Sequence, residues 1–420
     1  MRGNTGHMKV TNITLSKNKK KITLSADIRF NDKRTENAYF AIDRKNESLV
    51  FRDASPFLAA LLLPGMKMQE DIFIDGSVST KLLRETERIM TLIESWNIDL
   101  HRIKITARET KPDTNKPEYI ASFFSAGVDS FYTYLKNKKE NQERITHLLL
   151  VHGFDIPLQN KILFKKVQSI VTRIAKEEKI QAVFVETNIA EIIEKRLIWD
   201  FAHGGALAAV GLFLRKNLKD ILIAGNVRQD ELFPYGTHPD LDKLWSTETL
   251  QFVHDGTEYN RLDKIMHSIS KSPLALTYLH VCSQNVKGKY NCARCYKCLQ
   301  TMIELVCANA LQKAKTFPHT IDLQMVRKIY YDYSLLYNQQ GEANLAILKK
   351  QNREPELQKA IAYSLMRSKK PSVTKRIVQG ISYLDQKYNR RRLYTFIFRM
   401  DKKQDRNIFF KLLSNFGILK

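Results

Sequence analysis

The chain has 420 residues, of which 43% are apolar and 10% aromatic, a length and composition that support two or three domains with hydrophobic cores and exclude a largely disordered chain. No apolar run approaches a bilayer span, since the longest, residues 205–214, has only the length of a buried helix. The formal net charge is +24, and residues 367–420 carry fifteen Lys/Arg against three Asp, half of that excess; such a tail suits a nucleic acid or an acidic protein partner, and equally a set of solvated helix faces.

Residues 1–7 read as a cloning remnant ahead of Met8, with no signal peptide. Residues 8–112 read as a strand-rich N-terminal module, because 10–15, 21–30 and 38–43 alternate apolar and polar as half-buried strands do. A short apolar helix over 56–63 and a strand over 72–74 follow. Ser79 is placed to cap a helix whose Leu82, Leu83, Ile89, Met90, Ile93 and Trp96 recur at helical spacing. Polar residues 113–117 read as a linker.

Residues 117–305 change pattern to strand, helix, strand. Apolar strands over 119–124, 146–154, 182–188 and 220–227 are separated by helices over 130–136, 159–178 and 202–216. Continuous rather than alternating apolar strands imply an α/β fold with a parallel sheet covered on both faces. Ligands of such sheets bind at the carboxyl ends of the strands, which gathers residues 125–130, 152–155, 186–188 and 226–231 at one rim. Residues 306–420 read as a helical, basic C-terminal domain with breaks at Pro355 and Pro371.

Two constellations carry chemistry. The first is the turn Ser125, Ala126, Gly127, Val128, Asp129, Ser130 between the first parallel strand and its helix. Small residues there let the backbone approach a phosphate, helix N–H groups face it, and two hydroxyls can donate to its oxygens. A carboxylate such as Asp129 is useful in that place if it holds Mg²⁺; the turn also reads as an ordinary capped helix start. The second is Cys282, Cys292, Cys295 and Cys298, spaced C-x9-C-x2-C-x2-C. Four thiolates make a closed tetrahedral zinc site with no position for a reactive water, hence a structural one. The thiolates suit a reducing cytoplasm. Cys307 reads as a buried core residue.

The turn resembles the signature S-G-G-x-D-S of the PP-loop ATP pyrophosphatases, with Ala126 at the first glycine; a left-handed backbone there would be strained. Together with the cysteines it is similar to the 7-cyano-7-deazaguanine synthase (QueC) branch of that family, over residues 118–305. The resemblance implies a PP-loop domain that cleaves ATP between the α and β phosphates and transfers AMP to a carboxylate. It implies that Ser125, Gly127, Asp129 and Ser130 hold pyrophosphate and Mg²⁺. His152, Gly153 and Phe154 would hold adenine and ribose. Gly204 and Gly205, beside His203, read either as a second approach to ATP or as a tight helix start.

Residues 226–261 form a polar, aromatic-rich segment expected to contact substrate. Tyr235 and Trp245 would stack on a planar base, Asp240 or Glu248 would accept from its N–H edge, and Lys264 or Arg228 would neutralise an acyl phosphate; Asp230 and His238 lie among them. The competing reading is that these acids and bases pair with one another.

Three functions follow. In the first, an AMP-forming ligase adenylates a deazaguanine-like carboxylate and passes it to an amine on a protein acceptor, as in an antiviral conjugation system. In the second, ammonia is the nucleophile and the product is an amide or nitrile. In the third, a degenerate turn leaves a zinc-stabilised nucleic-acid binder, with a tRNA-modifying variant between.

Overall fold

The computed structural model describes residues 6–110, 116–140, 144–286, 288–331 and 337–369. The chain opens on three antiparallel strands, β1 (Gly6–Lys17), β2 (Lys21–Arg29) and β3 (Thr35–Asp43). Their sequence dictates this: along β2, Ile22, Leu24, Ala26 and Ile28 are buried while the residues between them stay partly open, the period-two pattern of a strand with one covered face. Gly6 and His7, expected to precede the fold, lie inside β1 opposite Glu70 and Asp71.

Helix α1 (Ser55–Met68) is apolar all round and almost wholly buried, as an internal helix must be. Strand β4 (Glu70–Ser79) returns parallel to β1. Helix α2 (Thr80–Ser95) starts at Ser79, whose hydroxyl accepts from Leu82 N. It buries Leu82, Ile89, Met90 and Ile93, the face the spacing called for. Strand β5 (Ile105–Thr110), which no apolar run announces, forms one edge of the sheet. Residues 111–115, most of the expected linker, lie outside the described residues.

The remaining strands are β6 (Tyr119–Phe123), β7 (His147–His152), β8 (Gln181–Thr187), β9 (Leu218–Ala224) and β10 (Gln251–Asp255). Between them run α3 (Val128–Glu140), α4 (Lys161–Glu178), the short α5 (Ile189–Ile193) and α6 (Trp199–Phe213). These strands are mutually parallel in the order β10-β9-β6-β7-β8. Numbered along the chain that order is 5-4-1-2-3, the Rossmann-like arrangement, which reverses direction between its first and fourth strands. Helices α3 and α4 pack on β6–β9. Ala121, Phe123, Leu149, Val151, Val183 and Val185, alternate residues of three strands, join the core that contains α1 and α6.

The two halves share one sheet. Strand β3 pairs with β8 antiparallel, Phe40 opposite Thr187, giving ten strands in the order β10-β9-β6-β7-β8-β3-β2-β1-β4-β5. Asn188 extends the seam: its Oδ1 accepts from Tyr39 N at 3.0 Å and its Nδ2 donates to Asn37 O at 2.7 Å. The N-terminal strands and the parallel half therefore bury a common core.

Helix α7 (Pro239–Asp242) lies between β9 and β10, and after β10 come α8 (Arg261–His267), α9 (Pro273–Tyr278) and α10 (Tyr296–Cys307). A compact unit ends at Ile321, and a second one starts at Asp322. The second contains α11 (Leu323–Lys328), α12 (Tyr337–Lys350) and α13 (Pro355–Lys369) around Val326, Leu348, Ile361 and Leu365. Most of the basic tail, residues 370–420 with Pro371, lies outside the described residues. Among the described residues, no helix is long and apolar enough to cross a membrane.

Candidate anion site and cysteine metal centre

The turn after β6 lies where the parallel sheet reverses its order, the position at which such sheets leave a crevice for ligand. Helix α3 starts at Val128, so its first backbone N–H groups face the turn without intrahelical acceptors. Ser125 is exposed at its mouth, whereas Ser130 is buried and donates to Gly127 O at 3.1 Å. Val128 is buried beneath. Ala126 is fully buried with φ +60°. That left-handed backbone costs a non-glycine residue about 1–2 kcal/mol, so the strain implied by alanine at this position is present. His280 N donates to Ala126 O at 2.8 Å and pins the strained peptide.

Asp129 sits in the first turn of α3. Its Oδ1 accepts from Lys264 Nζ at 3.0 Å, and Arg261 Nη1 lies 3.8 Å from its Oδ2. Burial alone would push this carboxyl up; the charges of Lys264 and Arg261 outweigh it and hold the group below the usual carboxylate range. Lys264 is fully buried and also donates to Gly225 O at 2.6 Å. One ammonium thus bridges the residue after β9 and the helix after β6. The sequence singled out Lys264; it gave no signal for Gly225 or Arg261. At Gly225 a side chain has no room, because an added Cβ would lie 2.7 Å from His254 Nε2.

Other expected ATP contacts are built into packing. His152 is buried, stacks on Phe164 at 4.0 Å and places Nε2 3.2 Å from Pro157 O. Gly153, at φ +110°, lets Thr187 O approach within 1.9 Å of where a Cβ would stand. Phe154 lies edge-on to Trp199. Gly204 and Gly205 lie inside α6 rather than at its start, with added Cβ positions 1.6 Å from Gly236 O and 2.6 Å from Ala59 O; both serve close backbone packing.

The segment expected to hold substrate is largely paired with itself. Arg228 forks onto Asp230 and Asp240 pairs with Lys243. His238 Nδ1 accepts from Asp240 N, while its ring meets Trp96. Tyr235 packs against His203. Trp245 is fully buried and offers no face to a base. Glu248 caps α2, accepting from Ser79 Oγ and Lys81 N, each at 2.8 Å. Replacing it by alanine should cost about 1 kcal/mol in denaturant unfolding, as for other lost caps, and leave any affinity for magnesium-ATP unchanged. Loss of affinity at unchanged stability would return Glu248 to a ligand role.

The cysteines do converge. Their four sulfurs lie within 4.8 Å of one another, and those of Cys292 and Cys298 are 3.8 Å apart. A tetrahedron with Zn–S bonds of about 2.3 Å has an edge of about 3.8 Å, so the donor set fits a metal ion such as zinc. Backbone N–H groups support it: Cys292 Sγ accepts from Arg294 N and Cys295 N, and Cys295 Sγ accepts from Cys298 N while capping α10. Cys307 is buried at the far end of α10. Magnesium has a thinner donor set, with Asp129 as the carboxylate at the turn. That carboxylate is already paired with Lys264 Nζ at 3.0 Å, so the described residues at the turn do not by themselves make a magnesium site.

No family model, curated protein or solved structure matches the chain.

Proposed function

We propose that the chain is an ATP-dependent, AMP-forming ligase of the PP-loop type, similar to the 7-cyano-7-deazaguanine synthase branch. The observation that carries this reading is Lys264, which joins Asp129 to Gly225 across the sheet's switch point beside a small-residue turn. A fully buried cation beside a helix N-terminus is suited to an anion.

In this reading a substrate carboxylate oxygen attacks the α-phosphorus of ATP, the α–β bridging bond breaks, and pyrophosphate leaves. An amine then attacks the acyl carbon, AMP departs, and the amine loses a proton. The α3 N–H groups and Ser125 hold the departing phosphates, and Lys264 offsets the charge that develops on them. Magnesium, brought in on the ATP, would supply further charge neutralisation. The acyl substrate is a planar carboxylate of the 7-carboxy-7-deazaguanine kind. The amine belongs to ammonia or to a protein acceptor, and a reducing cytoplasm suits the thiolate cluster. The nucleic-acid reading depends on the basic tail beyond the described residues.

The test is AMP and pyrophosphate release from magnesium-ATP with 7-carboxy-7-deazaguanine, comparing the native chain with Asp129→Ala. We expect both products from the native chain and a loss of about 100-fold or more in the variant. Release of ADP, or no turnover together with no ATP binding, would overturn the ligase reading.

A further inference from the structure

Arg261 opens α8 and reaches two other helices. Its Nη2 donates to Thr301 Oγ1 at 2.8 Å, and its Nε lies 3.4 Å from Glu304 Oε2, both on α10. Its Nη1 points the other way, 3.8 Å from Asp129 Oδ2 at the turn. The Arg261 side chain is 18% exposed, whereas that of Glu304 is fully buried. Burying a carboxylate is costly unless it is paired. Glu304 has Gln300 Nε2 at 3.0 Å on one oxygen and Arg261 against the other. Burial pushes the Glu304 carboxyl up, and its Oε2 stands beside Nε without a hydrogen bond; Thr301 fixes the rotation of the guanidinium, and Glu304 packs against its edge. The edge left over faces Asp129, where an anion in the turn would sit.

We infer that Arg261 is a second anion-binding cation of the site, contacting the terminal oxygens of a pyrophosphate-bearing ligand, and that Thr301 and Glu304 are its positioning residues. The inference rests on the phosphate reading of the turn and extends it to a side chain supplied from outside the strand–turn–helix unit. A planar fork serves here better than an ammonium, because two parallel N–H donors match two phosphate oxygens. It also gives α10 a part in the anion site. Cys295 and Cys298 begin this helix, and the residues that hold Arg261 lie one and two turns further along the same chain.

The experiment is calorimetric titration of the full chain with inorganic pyrophosphate and, separately, with magnesium-ATP. Each titration is run with thermal melts and metal content on the same samples. Arg261→Gln should weaken pyrophosphate binding by about ten-fold or more, and Arg261→Lys should recover part of it. Glu304→Gln and Thr301→Val should each weaken it less, with metal content unchanged. Native binding that Arg261→Gln leaves intact would overturn the role of Arg261 while sparing the phosphate turn. Native protein that binds neither ligand would overturn both. If Arg261→Gln fails to fold, equal affinity of Arg261→Lys and Thr301→Val with the native chain decides against the inference.

Discussion

Replacing Cys298 by serine is expected to strip the metal and unfold the segment around α10. Cys298 is fully buried, and its neighbours Cys282, Cys292 and Cys295 converge on the same point. Structural zinc contributes on the order of 10–16 kcal/mol of binding free energy to small metal-dependent folds at neutral pH, which exceeds the stability margin of most domains. The loss should not stay local. His280, two residues before Cys282, donates its N–H to Ala126 O at 2.8 Å. The loop continues through Val281 N on Asn291 Oδ1 and Tyr290 Oη on Tyr278 O. Without the metal the left-handed peptide at Ala126 loses its partner, so pyrophosphate binding should fall with metal content. Metal analysis, melting curves and pyrophosphate titration of Cys298→Ser, with Cys307→Ser as control, check this. One equivalent of zinc retained by Cys298→Ser, with an unchanged melt, would contradict the four-thiolate site.

What the sequence makes legible is what one segment can specify alone. Strand β7 is buried at every position, and the apolar run Leu148, Leu149, Leu150 and Val151 at its centre says so. The cysteines declare themselves by spacing, and the turn by its small residues. Strands β5 and β10 pass unnoticed because they are sheet edges. In β10 Phe252 is buried while Gln251 and Val253 are exposed, too short a pattern to separate from a loop. The joining of β3 to β8 is carried by backbone hydrogen bonds between residues about 147 positions apart, such as Phe40 and Thr187, and backbone pairing leaves no side-chain signature.

The segment 226–261 is hard to read for a different reason. Its polar residues suggest exposure, yet several are internal caps. Ser246 Oγ accepts from Phe252 N and Thr247 Oγ1 from Leu250 N, while the adjacent Trp245 lies in the core. Local satisfaction of polar groups looks, in sequence, the same as a surface awaiting a ligand. Arg261 is the converse. It stands 132 positions after Asp129 and 43 before Glu304, and only the fold brings the three together.

Lys264→Ala should damage both stability and affinity, and the two effects can be separated. The variant leaves Gly225 O without this donor and Asp129 with the more distant charges of Arg261, at 3.8 Å, and Lys297. Breaking a buried pair from one side costs about 3–5 kcal/mol. Asp129 keeps 27% of its side chain exposed, so water screens part of the exposed charge and the lower end applies, about 3 kcal/mol. If the proposed ligase reading holds, loss of this cation should reduce turnover by about 10²–10³-fold. A structural salt bridge alone would predict a different pattern: the double variant Lys264→Ala with Asp129→Ala would regain stability, and pyrophosphate affinity with it, since no charge would be left unpaired. An anion site predicts that stability returns in part while affinity stays lost, because the ligand needs the ammonium whether or not Asp129 is present. The double-mutant cycle, read by denaturant unfolding and by pyrophosphate titration on the same four proteins, distinguishes the two through the coupling energy in each readout. Affinity recovering in step with stability would reduce Lys264 to a strut.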